Sequence, residues 1–265
     1  MRLRQCWVYV LAVAMAAAAC GGSKEASNTS QPANAPAGQK IDPATVGDVK
    51  GTVTLDGAAP KNAEIKMNAD PVCVKENKDP QFFETVMAGS DGKSLANVFV
   101  YVKDGLGSYA FDMPTDKVTI DQKQCRYHPH VFAIRAGQTL EIVNSDPTLH
   151  NIHALPKNNP EFNIAQPGTA GIPPMTRKFD NPEIMVPFKC DVHGWMNAYV
   201  GVVAHPFFAV TDKDGKFELK GLPAGTYTIE AWHEKLGATT QSVTLAAKDS
   251  KEISFTFKAP AAPTN

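Results

Sequence analysis

The sequence predicts an all-β protein made of two antiparallel β-sandwiches. Apolar and polar residues alternate with a period of two near the beginning, in residues 49–55, and near the end, in residues 253–257. No amphipathic window is long enough for a major helix, and Gly, Pro, Asn and Asp separate the short apolar runs. Many short strands joined by turns favour sheet-on-sheet packing. Further strands are expected at 97–102, 118–121, 139–143, 150–155, 184–188, 198–204, 216–219, 226–233 and 241–245.

The composition excludes several classes of protein. Of the 265 residues, 43% are hydrophobic and 20% are charged, which is enough to build a buried core. The formal net charge is -1 and no long block of Lys or Arg occurs, so we expect no nucleic-acid partner. The longest apolar run, residues 6–19, is short for a membrane span, which argues against a multi-span transporter.

Residues 1–19 are predicted to be a secretory signal peptide, because Arg2 and Arg4 precede an apolar stretch that ends in small residues. The segment 17–22, AAACGG, resembles the lipobox of bacterial lipoproteins. That resemblance implies cleavage before Cys20 and attachment of a lipid to its thiol, on the periplasmic side of a membrane. Gly21 stands where inner-membrane lipoproteins carry Asp, which favours the outer membrane. Residues 20–46 contain almost no large apolar groups and are expected to form a flexible tether.

Three cysteines remain once the signal peptide and the lipidation site are assigned: Cys73, Cys125 and Cys190. Export places them in an oxidising compartment, where unpaired thiols need an explanation. Cys190 is followed at intervals of three residues by two further metal-binding side chains, His193 and Met196. We therefore expect a Cys73–Cys125 disulfide. In the chain-entropy model a bridge over such a loop stabilises the fold by roughly 4 kcal/mol.

The end of the chain has the turns of a small β-sandwich. The segments 209–217 (AVTDKDGKF) and 221–227 (GLPAGTY) resemble the carboxypeptidase regulatory-like, or transthyretin-like, family. Residues 206–258 are short for a complete sandwich of this kind, and 259–265 form a tail. We hypothesise that residues 47–113 supply its front half and that residues 114–205 are an inserted second sandwich. Two consecutive domains remain the alternative.

The chemistry is concentrated in residues 114–205. His150 precedes the group Cys190-x-x-His193-x-x-Met196 by forty residues, and it lies in an Asn-x-Asp…His-Asn setting. This pattern resembles the cupredoxins, the type 1 blue copper proteins. The resemblance implies a Greek-key sandwich and one copper ion bound by His150, Cys190, His193 and Met196. Two imidazoles and a thiolate with a weak thioether contact suit both Cu(I) and Cu(II).

The same resemblance assigns roles to the neighbours of the ligands. It implies that the Asn151 side chain ties its strand to Asp191 and so holds the thiolate loop. It also implies that the His193 imidazole is exposed, with Trp195 and Gly194 beside it forming a docking surface for a redox partner. The loop has the short spacing of the amicyanin-like cupredoxins, except that Gly194 replaces the Pro after the His.

Other histidines are candidates for additional metal binding. His153 lies three residues after His150, an offset that points to the opposite face of a strand, and is a possible further ligand. His128 could bind a second metal ion, either with other histidines or with Cys125 in a Cys-x-x-His pair. Packing and hydrogen bonding are the alternative roles for both.

These observations predict an exported, lipid-anchored one-electron carrier that exchanges electrons with periplasmic or membrane redox proteins. We expect no enzyme activity, because no triad order, phosphate loop or nucleotide fingerprint occurs. The alternatives are a copper store, chaperone or sensor, and a structural envelope lipoprotein. Zinc is the alternative metal, although the Met side chain is a poor zinc ligand.

Overall fold

The computed structural model describes residues 38–169 and 171–261. The predicted signal peptide, the lipidation site at Cys20 and the first part of the tether lie outside these residues. The described part is an all-β structure, as the sequence predicts, with one short helix, α1 (Pro71–Glu76). Its strands are β1 (Gly47–Asp56), β2 (Phe99–Asp104), β3 (Val118–Lys123), β4 (Arg126–His128), β5 (Val131–Arg135), β6 (Leu140–Asn144), β7 (His150–Ala154), β8 (Phe162–Gln166), β9 (Met175–Arg177), β10 (Glu183–Lys189), β11 (Asn197–Val203), β12 (Phe208–Val210), β13 (Lys216–Leu222), β14 (Gly225–His233), β15 (Gly237–Leu245) and β16 (Ser250–Lys258).

The first sandwich combines strands from both ends of the described chain. One sheet has the order β13-β1-β16 and the other the order β12-β2-β14-β15. β1 runs antiparallel to β13 and parallel to β16, so residues near 50 lie beside residues near 218 and 252. The apolar side chains on the inner faces of these strands form one buried core, which includes Val53, Val100, Ile229 and Phe255.

The second sandwich lies between β2 and β12 in the chain. Its five-stranded sheet has the order β5-β11-β10-β7-β8, and its four-stranded sheet has the order β4-β3-β6-β9. The core between them contains Ile120, Ile142, Ile152 and Val200, and it also contains the metal-ligand candidate Cys190. In the sequence, the second sandwich is thus inserted between two strands of the first.

A third apolar cluster joins the two sandwiches. Phe99 and Tyr101 of β2 pack with Val131 of β5 and Val203 of β11. The Phe99 ring lies against the backbone of Gly201, where an added Cβ would come within 2.6 Å of a ring carbon. Glycine at this position therefore permits the close approach of the two sheets.

The predicted tether, residues 20–46, includes residues that belong to the folded structure, so its predicted end is wrong. Gln39 donates a backbone hydrogen bond to Ser108 and accepts one from Ala110, both at 3.1 Å. Ile41 packs against the core of the first sandwich. Residues 38–46 are therefore attached to the sandwich because their backbone and one apolar side chain find partners there. No helix within the described residues is long and apolar enough to cross a membrane.

Residues 61–83 form a separate covering segment, which we call the cap. Two strand-like stretches of it are held together by backbone hydrogen bonds from Ile65 to Gln81 (2.7 Å) and from Phe83 to Ala63 (3.0 Å). α1 lies between them and is capped at its N-terminus by Asp70, whose side chain accepts a hydrogen bond from the backbone of Val72. The Cys73–Cys125 disulfide ties the cap to the second sandwich, and Ile65 and Met67 pack around it.

Candidate metal centre

The two loops that carry the ligand candidates are brought together by the five-stranded sheet. His150 opens β7, and β7 pairs with β10, which ends just before Cys190. The turn from β10 to β11 contains Cys190, His193 and Met196, and it is closed by a backbone hydrogen bond from Cys190 to Met196 (3.1 Å). Met196 is buried in the same core as Cys190. All four predicted ligands therefore lie at one end of the second sandwich.

Three of these side chains form one cluster. The Nδ1 atoms of His150 and His193 are 2.8 Å apart. One ligand atom from each of His150, Cys190 and His193 lies within 4.8 Å of the others, and all three residues are buried. Two imidazole nitrogens and a sulfur thus converge in a space that is closed to bulk water.

The hydrogen bonds of the two imidazoles show that the cluster suits a cation. Nε2 of His150 lies 2.8 Å from a carboxylate oxygen of Asp146, and Nε2 of His193 lies 2.9 Å from one of Asp70. Because an ionised carboxylate can only accept, each Nε2 carries a hydrogen, and in a neutral ring Nδ1 then presents its lone pair. Two such lone pairs facing each other repel unless a proton or a metal ion lies between them. Burial by itself lowers the pKa of His150, but its hydrogen bonds with Asp146 and Cys190 raise it, so this space suits a cation of either kind. Carboxylates on the outer nitrogens are the usual support for metal-binding histidines.

The Cys190 sulfur is prepared to carry negative charge. Burial by itself raises the pKa of this thiol, but the hydrogen bonds that the sulfur accepts from His150 and from the backbone N–H groups of Asn151 and His193 outweigh burial and lower it. The His193 backbone N–H lies 3.2 Å from Sγ. A thiolate with two imidazoles is a donor set for copper or zinc, and a thioether from Met196, which is buried in the same core as Cys190, would favour copper.

The Asn151 side chain fixes the loop that carries Cys190. Its Oδ1 accepts hydrogen bonds from the backbone of Asp191 (2.7 Å) and of Val192 (3.3 Å). Its Nδ2 donates to Asn163 at 2.6 Å. The side chain thus links β7 to the thiolate loop at the position where the cupredoxin resemblance places such a link.

The expectation of an exposed His193 imidazole is wrong. His193 is only 3% exposed, because the cap covers it. Asp70 Oδ2 accepts from His193 Nε2 and from the Thr148 hydroxyl, both at 2.9 Å, while its Oδ1 accepts from the Val72 backbone. Cys73 Sγ lies 3.7 Å from the same Nε2. The chain's own carboxylate and disulfide therefore occupy the side of the imidazole where solvent was expected.

The predicted docking surface changes accordingly. The Trp195 indole donates to the Cys125 carbonyl at 2.9 Å and packs against the cap, so it does not form an open apolar patch around an exposed imidazole. Gly194 is exposed, as is Val192, at 50%. Leu149, next to His150, is also exposed. The apolar surface nearest the ligands comes from Val192 and Leu149.

The additional metal candidates lie apart from this cluster. Nδ1 of His153 is 2.9 Å from Asp191 and its Nε2 is 2.7 Å from Glu161, so both ring nitrogens face carboxylates. His128 ends β4 and is exposed. A metal pair of Cys125 with His128 is excluded because Cys125 is in the disulfide with Cys73. Cys190 is the free cysteine of the described residues.

Sequence reasoning missed the two carboxylates that hold the imidazoles. Asp146 lies in the Asn-x-Asp…His-Asn stretch, and it also accepts from the backbone of Gln124 (2.6 Å) and Cys125 (2.7 Å). That stretch was a signal for Asp146. Asp70 is followed by Pro71, which signals a helix start but gives no indication of a partner 123 residues away.

Residues 196–258 match the family model of the carboxypeptidase regulatory-like domain. The match covers about a quarter of the chain and begins at the last strand of the second sandwich. β1 and β2, which complete the first sandwich, lie outside it. No curated protein matches the chain in sequence.

Several solved structures of copper proteins are similar to parts of this chain. A copper-containing nitrite reductase from Thermus scotoductus SA-01 is 20% identical over 35% of this chain and 24% of its own, with a TM-score of 0.29. A Cu(I) amicyanin variant is 16% identical over 34% of this chain and 86% of its own (TM-score 0.27). A purple cupredoxin from Nitrosopumilus maritimus is 21% identical over 32% of this chain and 98% of its own, with a TM-score of 0.27. The chain spans about a quarter of the nitrite reductase. The family model thus matches the carboxypeptidase regulatory-like resemblance seen in the sequence.

Proposed function

We propose that this protein binds one copper ion through His150, Cys190, His193 and Met196 and acts as a one-electron carrier. The observation that carries the proposal is the pair of facing Nδ1 atoms, each with its Nε2 held by a carboxylate, beside a thiol whose pKa is lowered. Bound copper would supply a couple between Cu(I) and Cu(II) in this position.

The protein holds the four metal-binding side chains in fixed positions. His150 lies on β7 and the other three donors lie in the turn between two paired strands. Asp146 and Asp70 fix the ring orientations, and Asn151 fixes the thiolate loop. Donors that do not rearrange between two oxidation states favour rapid electron transfer.

The cap favours a carrier over a chaperone. A chaperone must open a path by which another protein's ligands can reach the metal, whereas Asp70 and the disulfide cover His193. An electron needs no such path, because it can pass through the covering side chains. We further propose that the partners are redox proteins, that the protein is exported and lipid-anchored through Cys20 at the periplasmic side of a membrane, and that it catalyses no reaction of its own.

Redox cycling in the presence of a Cu(I)-specific chelator tests this proposal. We expect the copper-loaded chain to be oxidised and reduced repeatedly with a constant ratio of copper to protein. Loss of copper to the chelator at each reduction would instead support a chaperone. His150→Ala and His153→Ala form a matched pair on one strand: the first should abolish copper retention, and the second should leave the ratio at one. A wild-type ratio of two that falls to one in His153→Ala would identify a second copper site.

A further inference from the structure

A cavity of about 540 Å³ lies where the two sandwiches meet the segment that precedes β1. None of the predicted metal ligands lines it, and its walls come from β3, β5, β12 and the connection that follows β2. Cavities of this size are typical of sites for small organic ligands. Apolar side chains form most of the wall: Ile41, Phe111, Val118, Ala133, Pro206 and Phe208.

Arg135, at the end of β5, is the unusual residue of this cavity. It is 6% exposed, and its Nε has no hydrogen-bond partner. One terminal nitrogen donates a long bond of 3.4 Å to the Asp112 carbonyl, and the guanidinium lies 5.7 Å from the centre of the Phe111 ring. No carboxylate of the described residues forms an ion pair with it.

A buried cation without a counter-ion is costly. Burial in an apolar environment penalises the charged form, and for this reason the pKa of Arg135 is lowered. The buried carboxylates of the described residues are not left without partners in this way: Asp146, Glu183 and Glu230 all accept hydrogen bonds from nearby donors. The Arg135 guanidinium therefore lacks the anionic acceptor that would stabilise its buried charge.

We propose that this cavity binds a small organic carboxylate with an apolar tail. The carboxylate would accept hydrogen bonds from the Arg135 guanidinium, whose planar fork matches its two oxygens. The apolar wall would take the tail. Lys40 adds positive charge at the exposed rim, and Asp112 contributes one negative group, so the ionic lining carries a net positive charge.

Calorimetric titration of the full chain with octanoate tests the proposal. Acetate presents the head group alone and 1-octanol presents the tail alone, so both should bind at least about tenfold more weakly than octanoate. Arg135→Met keeps the length of the side chain and removes its charge, and it should weaken octanoate binding by at least about tenfold. It should not lower the melting temperature, because it removes an uncompensated buried charge.

The matched control is Arg177→Met. Arg177 also lies over an aromatic ring, that of Phe162 at 5.6 Å, but it does not line the cavity. Its replacement should leave octanoate binding unchanged. Ala133→Leu narrows the cavity without altering charge and should also weaken binding. Absence of saturable octanoate binding, equal binding by Arg135→Met, or equal binding of octanoate and 1-octanol would overturn the proposal.

Discussion

Replacement of both Cys73 and Cys125 by Ala is expected to lower the free energy of unfolding by about 4 kcal/mol and to uncover the metal centre. The disulfide joins residues 52 apart in sequence, and opening such a loop restores about that much chain entropy to the unfolded state. It is also the covalent tie that holds the cap against His193. Alanine is preferable to serine here because both positions are fully buried and a hydroxyl would lack a partner.

Denaturant unfolding measures the first effect, and the rate of copper loss to a chelator measures the second. In the double variant we expect a lower free energy of unfolding and faster loss of copper. Reduction of the wild-type disulfide is a poorer test, because the two free thiols would compete for copper. The entropy model gives a decrease of about 4 kcal/mol in the free energy of unfolding, so a decrease of less than about 1 kcal/mol would contradict the disulfide's structural role. Unchanged copper loss would show that the bridge does not hold the cap closed.

Asp70→Ser is expected to weaken copper binding by about 10- to 100-fold, the usual effect of removing a carboxylate that orients a metal-binding histidine. Serine still offers an oxygen to cap α1, since Ser and Asp are both good N-cap residues. It is too short to reach His193 Nε2, which the Asp70 side chain contacts at 2.9 Å. The variant therefore separates the contact with His193 from the capping of the helix. Competition with a chelator of known affinity measures the change.

Asp70→Asn and Thr148→Val are the controls for this prediction. Asparagine keeps both the helix cap and a neutral acceptor for His193, so its loss of affinity should be smaller than that of Ser. Thr148→Val removes the second partner of the same carboxylate oxygen and leaves the contact with His193 in place. Equal affinities for wild type and Asp70→Ser would mean that Asp70 covers His193 without positioning it.

The parts of this protein that local sequence could predict are those set by short-range patterns. The period of two in residues 49–55 and 253–257 predicted strands, and the structure places both stretches side by side in β1 and β16. The spacing of Cys190, His193 and Met196 brings them together because one turn between paired strands carries all three. The all-β class followed from the number and length of such runs.

The cap could not be predicted in this way. Residues 61–83 have no regular hydrophobic period, and their contacts are made with residues far along the chain. Asp70 meets His193 across 123 positions, and Trp195 meets the Cys125 carbonyl across 70. A family resemblance predicts an exposed imidazole, whereas the cap of this chain covers it. The burial of Arg135 without a counter-ion likewise depends on segments that are far apart in the sequence, among them β3, β5 and β12, and that meet only in the folded structure.

The visible absorption spectrum of the copper-loaded chain, recorded beside the Cys190→Ser variant, tests the central claim most directly. A copper ion bound to a thiolate absorbs intensely in the visible range through charge transfer from sulfur to metal. We predict such a band in the wild type and in the Cys73→Ala/Cys125→Ala variant, and its loss in Cys190→Ser. A colourless wild-type chain that holds zinc or no metal, or a band that persists without Cys190, would contradict the assignment of a copper centre to these residues.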